Sequence, residues 1–174
     1  MGEGDSEQGG RIATRWSTPA DDRGLAEAHR EAWRYAYAGI IPGLSLERMI
    51  SHRGPNWWHR MHDRGHRALV LDCDDAVAGY ATFGWSRPPA PRFRGEIYEL
   101  YLRPECHGCG LGRRLFEAAR HELARHGLDR VTVWALADNR LACRFYAAMG
   151  GLETGRAQER FCGVPLDKIG YVWG

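Results

Sequence analysis

Hydrophobic spacing along the chain switches between strand-like and helical periods, and the order of the switches predicts a sheet with helices on its faces. After a polar, Gly-rich leader at 1–10, residues 11–16 read as a first strand. From Asp21 and Asp22, carboxylates suited to a helix start, the period turns helical as far as Tyr37. Leu25, Ala28, Ala32, Tyr35 and Ala36 then fall near one face. Gly39 and Pro42 break that helix. Residues 44–50 and 57–66 have helical spacing of their own. Residues 68–71 and 77–85, separated by Asp72-Cys73-Asp74-Asp75, predict a hairpin. Residues 86–95 hold three prolines and three arginines and read as a surface loop, because proline cannot donate to a sheet ladder.

The second half repeats the alternation more clearly. A β-rich run, 96–102, ends at Arg103-Pro104 and leads through a glycine-rich loop to a helix at 113–126. An apolar stripe of Leu111, Leu115, Phe116, Ala119 and Leu123 marks that helix, and Gly127 closes it. Residues 130–136 predict a strand and 139–149 a helix stopped by Gly150-Gly151. Two short strands near 154–162 and 168–173 follow. The order β-α-α-β-β-β-α-β-α-β-β specifies an α/β or α+β domain spanning 11–174, with no repeat or internal linker.

Composition narrows the class without naming it. The 174 residues suit one domain, and 44% hydrophobic with 26% charged residues is ordinary for a globular protein. The net charge of +2, with arginines dispersed among acids, argues against a dedicated nucleic-acid surface. Lys168 is the only lysine, a bias read as the base composition of a high-GC bacterium. Cysteines at 73, 106, 109, 143 and 162 are odd in number and irregularly spaced, so reduced thiols in a cytoplasmic protein are expected. No apolar run approaches the roughly 18–20 residues of a membrane span, and the leader lacks the basic-then-apolar order of an export signal. Met1-Gly2 with Ser6 fits a loose myristoylation pattern, read as coincidence in a flexible tail.

The glycine loop His107-Gly108-Cys109-Gly110-Leu111-Gly112 carries the strongest chemical signal. A strand feeding a helix N-terminus through glycines aims unpaired N–H groups and the helix dipole at one point, which favours an anion. Arg113 and Arg114 add positive charge beside it. A plain connecting turn is the alternative. The P-loop and dinucleotide patterns both fail: the first needs Lys-Ser/Thr where Arg113-Arg114 stands, and counting from Gly108 the sixth position is Arg113 rather than glycine.

The run from Leu100 through Gly112 resembles the signature of the GNAT superfamily of acyl-CoA-dependent N-acyltransferases, with His107 where Gln or Arg is usual. A second segment, from Asn139 to Gly150 through Phe145-Tyr146, resembles that family's downstream Asn-to-Phe-Tyr helix. The similarity spans roughly 11–173. It implies a mixed, mostly antiparallel sheet of about seven strands, splayed beside the glycine loop, with helices on both faces. It also implies acetyl-CoA as cosubstrate, with no metal, and an amine of a small molecule or peptide as acceptor. No nucleic-acid or membrane partner is implied, and a homodimer is compatible.

The resemblance puts Leu100, Tyr101, Leu102, His107, Gly108, Cys109, Gly110, Leu111, Gly112, Arg113, Arg114 and Asn139 at the CoA site. Asn139 and Tyr146 are seven apart, two helical turns, and so share a face. Tyr146 is the candidate to protonate the departing thiolate, and packing beside Phe145 is its alternative. Glu99 and Glu96 are the candidate bases; three apart on a strand, they should face opposite sides unless a bulge intervenes. Proximity to the loop favours Glu99, alignment with some family members favours Glu96, and an ion pair with arginine is the plain alternative for either. Backbone N–H groups from Leu100 to Leu102 would meet the oxyanion.

Rival readings are weaker. Cys106-x-x-Cys109 lacks the second pair that a four-cysteine zinc site needs, and a redox role is the other option. His59, His62 and His66, with His52, would share a helical face as a metal set, but solvated histidines are the better expectation. Cys143 reads as packing rather than as an acyl carrier. A non-catalytic acyl-CoA sensor is the runner-up function.

Overall fold

A computed structural model describes residues 10–87 and 92–174. Seven strands, β1 (Ile12–Trp16), β2 (Leu69–Cys73), β3 (Ala76–Trp85), β4 (Gly95–Leu102), β5 (Val131–Leu136), β6 (Leu152–Phe161) and β7 (Val164–Trp173), form one sheet. Its order is β1-β2-β3-β4-β5-β7-β6. Every neighbouring pair is antiparallel except β4 with β5. The five helices are α1 (Asp22–Tyr37), α2 (Gly43–His52), α3 (Pro55–Asp63), α4 (Leu111–Arg125) and α5 (Arg140–Ala148).

Two apolar layers sandwich the sheet. On one face α4 delivers Leu115, Phe116, Ala119 and Leu123, all buried, against Leu71, Ile97 and Val133. On the other face α1 and α3 bring Leu25, Ala28 and Trp58 onto Val70 and Tyr80, and α2 adds Leu46 and Ile50 around Trp33. The stripe expected on α4 is the buried one, with Leu111 half-buried at its start. On α1 the stripe is rotated from expectation. Trp33 is buried and Tyr35 is 56% exposed, because the 3.6-residue period carries the core face from Leu25 through His29 to Trp33.

The hairpin between β2 and β3 turns on Asp74 and Asp75, both at positive φ (51° and 64°), as a tight hairpin turn requires. Cys73 belongs to β2. The last two strands are ten residues each, longer than expected, since β6 pairs β7 along its length while its own side chains stay mostly exposed and polar. Hydrophobic spacing is faint in such a strand. The leader at 1–9 and part of the 86–95 loop lie outside the described residues; at the loop base the Ser86 N–H donates to the Arg94 carbonyl at 2.7 Å.

Gly79 and Gly155 differ in what a side chain would meet. A Cβ on Gly79 would come within 2.5 Å of the Tyr101 carbonyl, whereas nothing lies within 4 Å of one on Gly155. Gly79→Ala should therefore cost about 1–3 kcal/mol of stability by overpacking. Gly155→Ala should be close to neutral. Thermal melts of the two variants check this, and equal melting temperatures would refute it.

Candidate active site

The site begins where β4 loses a neighbour. Parallel pairing with β5 covers only Gly95–Val131, Glu96–Thr132 and Ile97–Val133. Beyond Ile97, β4 stays with β3 while β5 stays with β7, so the sheet opens. At the same point Thr82 faces Glu99 and Phe83 faces Ile97, which leaves Tyr98 as an extra, unpaired residue. That is a bulge, and it re-aims the strand. Glu96 and Glu99 now oppose Gly84 and Thr82, two apart on β3, and so share one sheet face.

The Arg103 N–H donates to the Ala78 carbonyl at 2.8 Å. Antiparallel alternation from that bond turns the N–H groups of Leu100 and Leu102 toward the gap. A cleft of about 360 Å³ lies along it, lined among others by Leu100, Tyr101, Leu102, Asn139 and Tyr146.

One end of this cleft is the glycine loop. Gly108 and Gly110 have φ of 79° and 82°, left-handed values that a residue with a Cβ seldom adopts. They swing the chain into α4 so that the N–H groups of residues 108–113 find no acceptor among the described residues. These amides and the helix dipole aim positive partial charge at one point, an arrangement that suits an anion. Gly112 serves packing, since a Cβ there would sit 3.1 Å from the Phe145 ring. Arg113 lines the cleft, while Arg114 turns away to the Ile12 carbonyl at 2.7 Å. His107 lines the cleft with its ring edge-on to Tyr35, centroids 5.2 Å apart. Cys109 is exposed and Leu111 packs toward the core, so neither side chain joins the lining.

Asn139 caps α5, its side-chain oxygen accepting from the Ala142 N–H at 3.1 Å. This fixes the start of the helix that carries Tyr146. The Tyr146 ring is buried among Phe116, Phe145, Tyr171 and Trp173, yet its hydroxyl has no hydrogen-bond partner among the described residues. Burial raises its pKa well above the usual phenol value and keeps the proton on.

Both carboxylates are held by arginine, in different settings. Glu96 is 1% exposed and accepts from the Arg87 N–H (2.8 Å), Nε (3.1 Å) and Nη2 (2.6 Å), away from the cleft. Glu99 accepts from the Arg53 guanidinium on one oxygen and from the Thr82 hydroxyl on the other, at 3.0 Å. Glu99 lines both this cleft and a second cavity of about 550 Å³. The two cavities meet at Glu99, Tyr101 and Trp134.

Further contacts surround the site. The Tyr37 and Tyr101 hydroxyls bond at 2.6 Å at that junction, and burial pushes the Tyr37 phenol up to about 12. His29, fully buried, bonds Tyr80 through Nδ1 at 2.8 Å, and burial and then the Arg53 charge push its pKa down to about 3. His62 is not solvated: its ring joins Asp22 (2.6 Å) to Ser17 (2.8 Å) and ties α3 to α1. His59 also meets Asp22, at 2.9 Å. No three His, Cys, Asp or Glu among the described residues are arranged to hold a metal. The cysteines are free thiols; burial raises the pKa of Cys106, and the Cys143 sulfur packs near the Leu136 carbonyl at 3.6 Å. Among the described residues no helix is long and apolar enough to cross a membrane.

The model of the acetyltransferase (GNAT) family matches residues 25–150. An uncharacterised N-acetyltransferase, YuaI of Bacillus subtilis, is 27% identical, with 93% of this chain and 92% of that protein covered. A mycothiol acetyltransferase of Tsukamurella paurometabola is 29% identical, covering 81% of this chain but 48% of its own length. This chain thus spans about half of that relative. The fold is similar to the PaiA N-acetyltransferase of Thermoplasma acidophilum in complex with coenzyme A (TM-score 0.70, 20% identity, 91% and 98% covered). It is also similar to YncA of Salmonella typhimurium with acetyl-CoA (TM-score 0.66, 23% identity, 93% and 92% covered).

His29 makes a pH prediction. Its folded pKa of about 3 lies below the ordinary 6.5, so between those values the unfolded chain binds more protons. The His29 contribution is complete above pH 6.5 and is lost as pH falls toward 3, at up to about 1.4 kcal/mol per pH unit. Denaturant melts of wild type and His29→Asn across pH 4–7 should diverge by that slope; parallel curves would contradict it.

Proposed function

The chain belongs to the acetyltransferase (GNAT) family, and we propose that it moves the acetyl group of acetyl-CoA directly onto an amine held in the Glu99 cavity. The observation that carries the reading is a single continuous path. Unpaired amides at the start of α4 lead to the open edge of β4, and that edge ends at a carboxylate facing a second cavity. The pyrophosphate suits the amides of residues 108–113, and the pantetheine arm suits the β4 edge, where Leu100 and Leu102 offer N–H groups. The departure of His107 from the usual Gln or Arg leaves this backbone cradle intact.

Transfer needs a neutral amine, an oxyanion partner and a proton for sulfur. An alkylamine of pKa about 10.4 is only about 0.1% neutral at pH 7.4, so a nearby proton acceptor helps. Glu99 takes that role, directly or through water, because Arg53 and Thr82 occupy one lone pair on each oxygen and leave others free. Glu96, closed off by Arg87, supports the strand instead. An N–H group of Leu100 or Leu102 stabilises the oxyanion. Tyr146, neutral and with no other partner among the described residues, donates its proton to the departing thiolate and recovers it from solvent.

Two variants separate binding from chemistry. Gly110→Val forces a β-branched residue into a left-handed backbone and should abolish the acetyl-CoA-dependent rise in melting temperature. A full thermal shift would remove the loop from the site. Tyr146→Phe should lower kcat about 10- to 100-fold with little change in acetyl-CoA affinity, measured by release of free CoA. Unchanged kcat would return Tyr146 to packing, and acetyl-CoA binding without CoA release on any amine would favour a sensor.

A further inference from the structure

The second cavity carries a charge pattern that selects among amines, and the inference drawn from it rests on the acetyl-transfer reading above. Its walls present half-buried rings, including Trp57, Phe83, Tyr98, Trp134 and Phe161, which suit an aromatic or apolar body. Its charged lining holds Arg53, Arg67, Arg87 and Lys168 against Glu99 and Glu159.

Most of these charges are already matched. Arg53 bonds Glu99 and lies over the Trp57 ring, 4.7 Å from its centroid. Lys168 meets Glu159 at 3.1 Å and covers Trp134 at 5.1 Å. Arg87 is taken by Glu96. Among the described residues, Arg67 alone of these cations makes no hydrogen bond or ion pair. It stands just before β2, whose Leu69 pairs with Ala81, while Glu99 pairs with Thr82 on the far side of the same β3. Arg67 and Glu99 both stand in the wall of this cavity, whose volume of about 550 Å³ admits a molecule of amino-acid size between them.

We propose that the acceptor is a zwitterionic amine with an aromatic or apolar body, its ammonium meeting Glu99 and its carboxylate meeting Arg67. The excess of positive charge disfavours polyamines and lysine-rich peptides, whose further ammonium groups would face guanidinium. Arg67 is then a specificity-determining residue: it matches a charge of the acceptor that takes no part in bond making. The chemical step is the one already described, with the amine nitrogen bonding to the acetyl carbon as the carbon–sulfur bond breaks.

Matched acceptors test this directly. L-Tryptophan and tryptamine differ only in the carboxylate, as do L-phenylalanine and phenethylamine. Each is measured for binding to the CoA-saturated protein and for turnover with acetyl-CoA, with spermine as the polycation. The amino acids should bind and react at least about tenfold better in kcat/KM than their decarboxylated partners, in keeping with a charge-assisted hydrogen bond. In Arg67→Gln that ratio should collapse toward one, mainly through KM, with the CoA-dependent thermal shift unchanged as evidence of folding. The proposal is overturned if tryptamine matches tryptophan, if spermine is preferred, if Arg67→Gln keeps the ratio, or if no amino acid binds while the CoA shift is intact. Loss of the CoA shift in the wild-type protein would instead overturn the acetyl-transfer reading beneath it.

Discussion

Between Ile97 and Tyr98 the strand β4 gives up hydrogen bonds to β5, and the rest of the site is a consequence of that loss. Backbone N–H and C=O groups left inside a protein need partners, so an opened ladder must be offset by packing and filled by something polar. The packing comes from below, where Phe116, Tyr146 and Trp173 form a cluster of rings under the diverging strands. On the other face Trp33, Tyr80 and Tyr101 form a second cluster. β5 keeps its full antiparallel pairing with β7, so opening one edge costs β5 only half of its ladder. The bulge at Tyr98 sits at the same place, which makes the opening of the sheet and the aim of Glu99 a single structural event.

Electrostatics then set the glycine-loop end of the cleft apart from the end at Glu99. At the start of α4 the positive partial charge is carried by backbone, so it needs no particular side chain at position 107. Around Glu99 it is carried by side chains, and each carboxylate near the strand is matched by an arginine: Arg87 for Glu96, Arg53 for Glu99. The pairings look alike, but their exposure differs. Glu96 is sealed and structural, whereas Glu99 opens to both cavities.

The glycine loop and most of the element order were legible because they depend on local chemistry: period, caps and φ preference; three helices, α1 to α3, stand before β2 where the expected order had two. The stripe on α4 and the glycines at 108 and 110 are of this kind. The cleft-lining residues Tyr146 and Asn139 were legible as candidates only through likeness to known sequences, since nothing in the spacing of a single helix says which cleft it borders. Three features were hidden. The bulge at Tyr98 is set by how β3 and β4 twist together, not by residue type. The burial of His29 follows the same helical face as Leu25 and Trp33, set by the 3.6-residue period rather than by residue type. The tie from His62 to Asp22 and Ser17 joins residues far apart in sequence, so within a histidine set whose other members, His52, His59 and His66, are exposed, His62 alone becomes a buried brace. β6 is faint in the sequence because its exposed side chains carry almost no hydrophobic signal.

The claim on which the account turns is that backbone amides, rather than side chains, receive the cosubstrate. Backbone amide NMR during titration with coenzyme A measures this residue by residue. The account predicts that the largest shifts fall on residues 108–113 and on Leu100 and Leu102, with β1 and β6 unmoved. Saturable binding that leaves those amides in place and shifts another surface would contradict it.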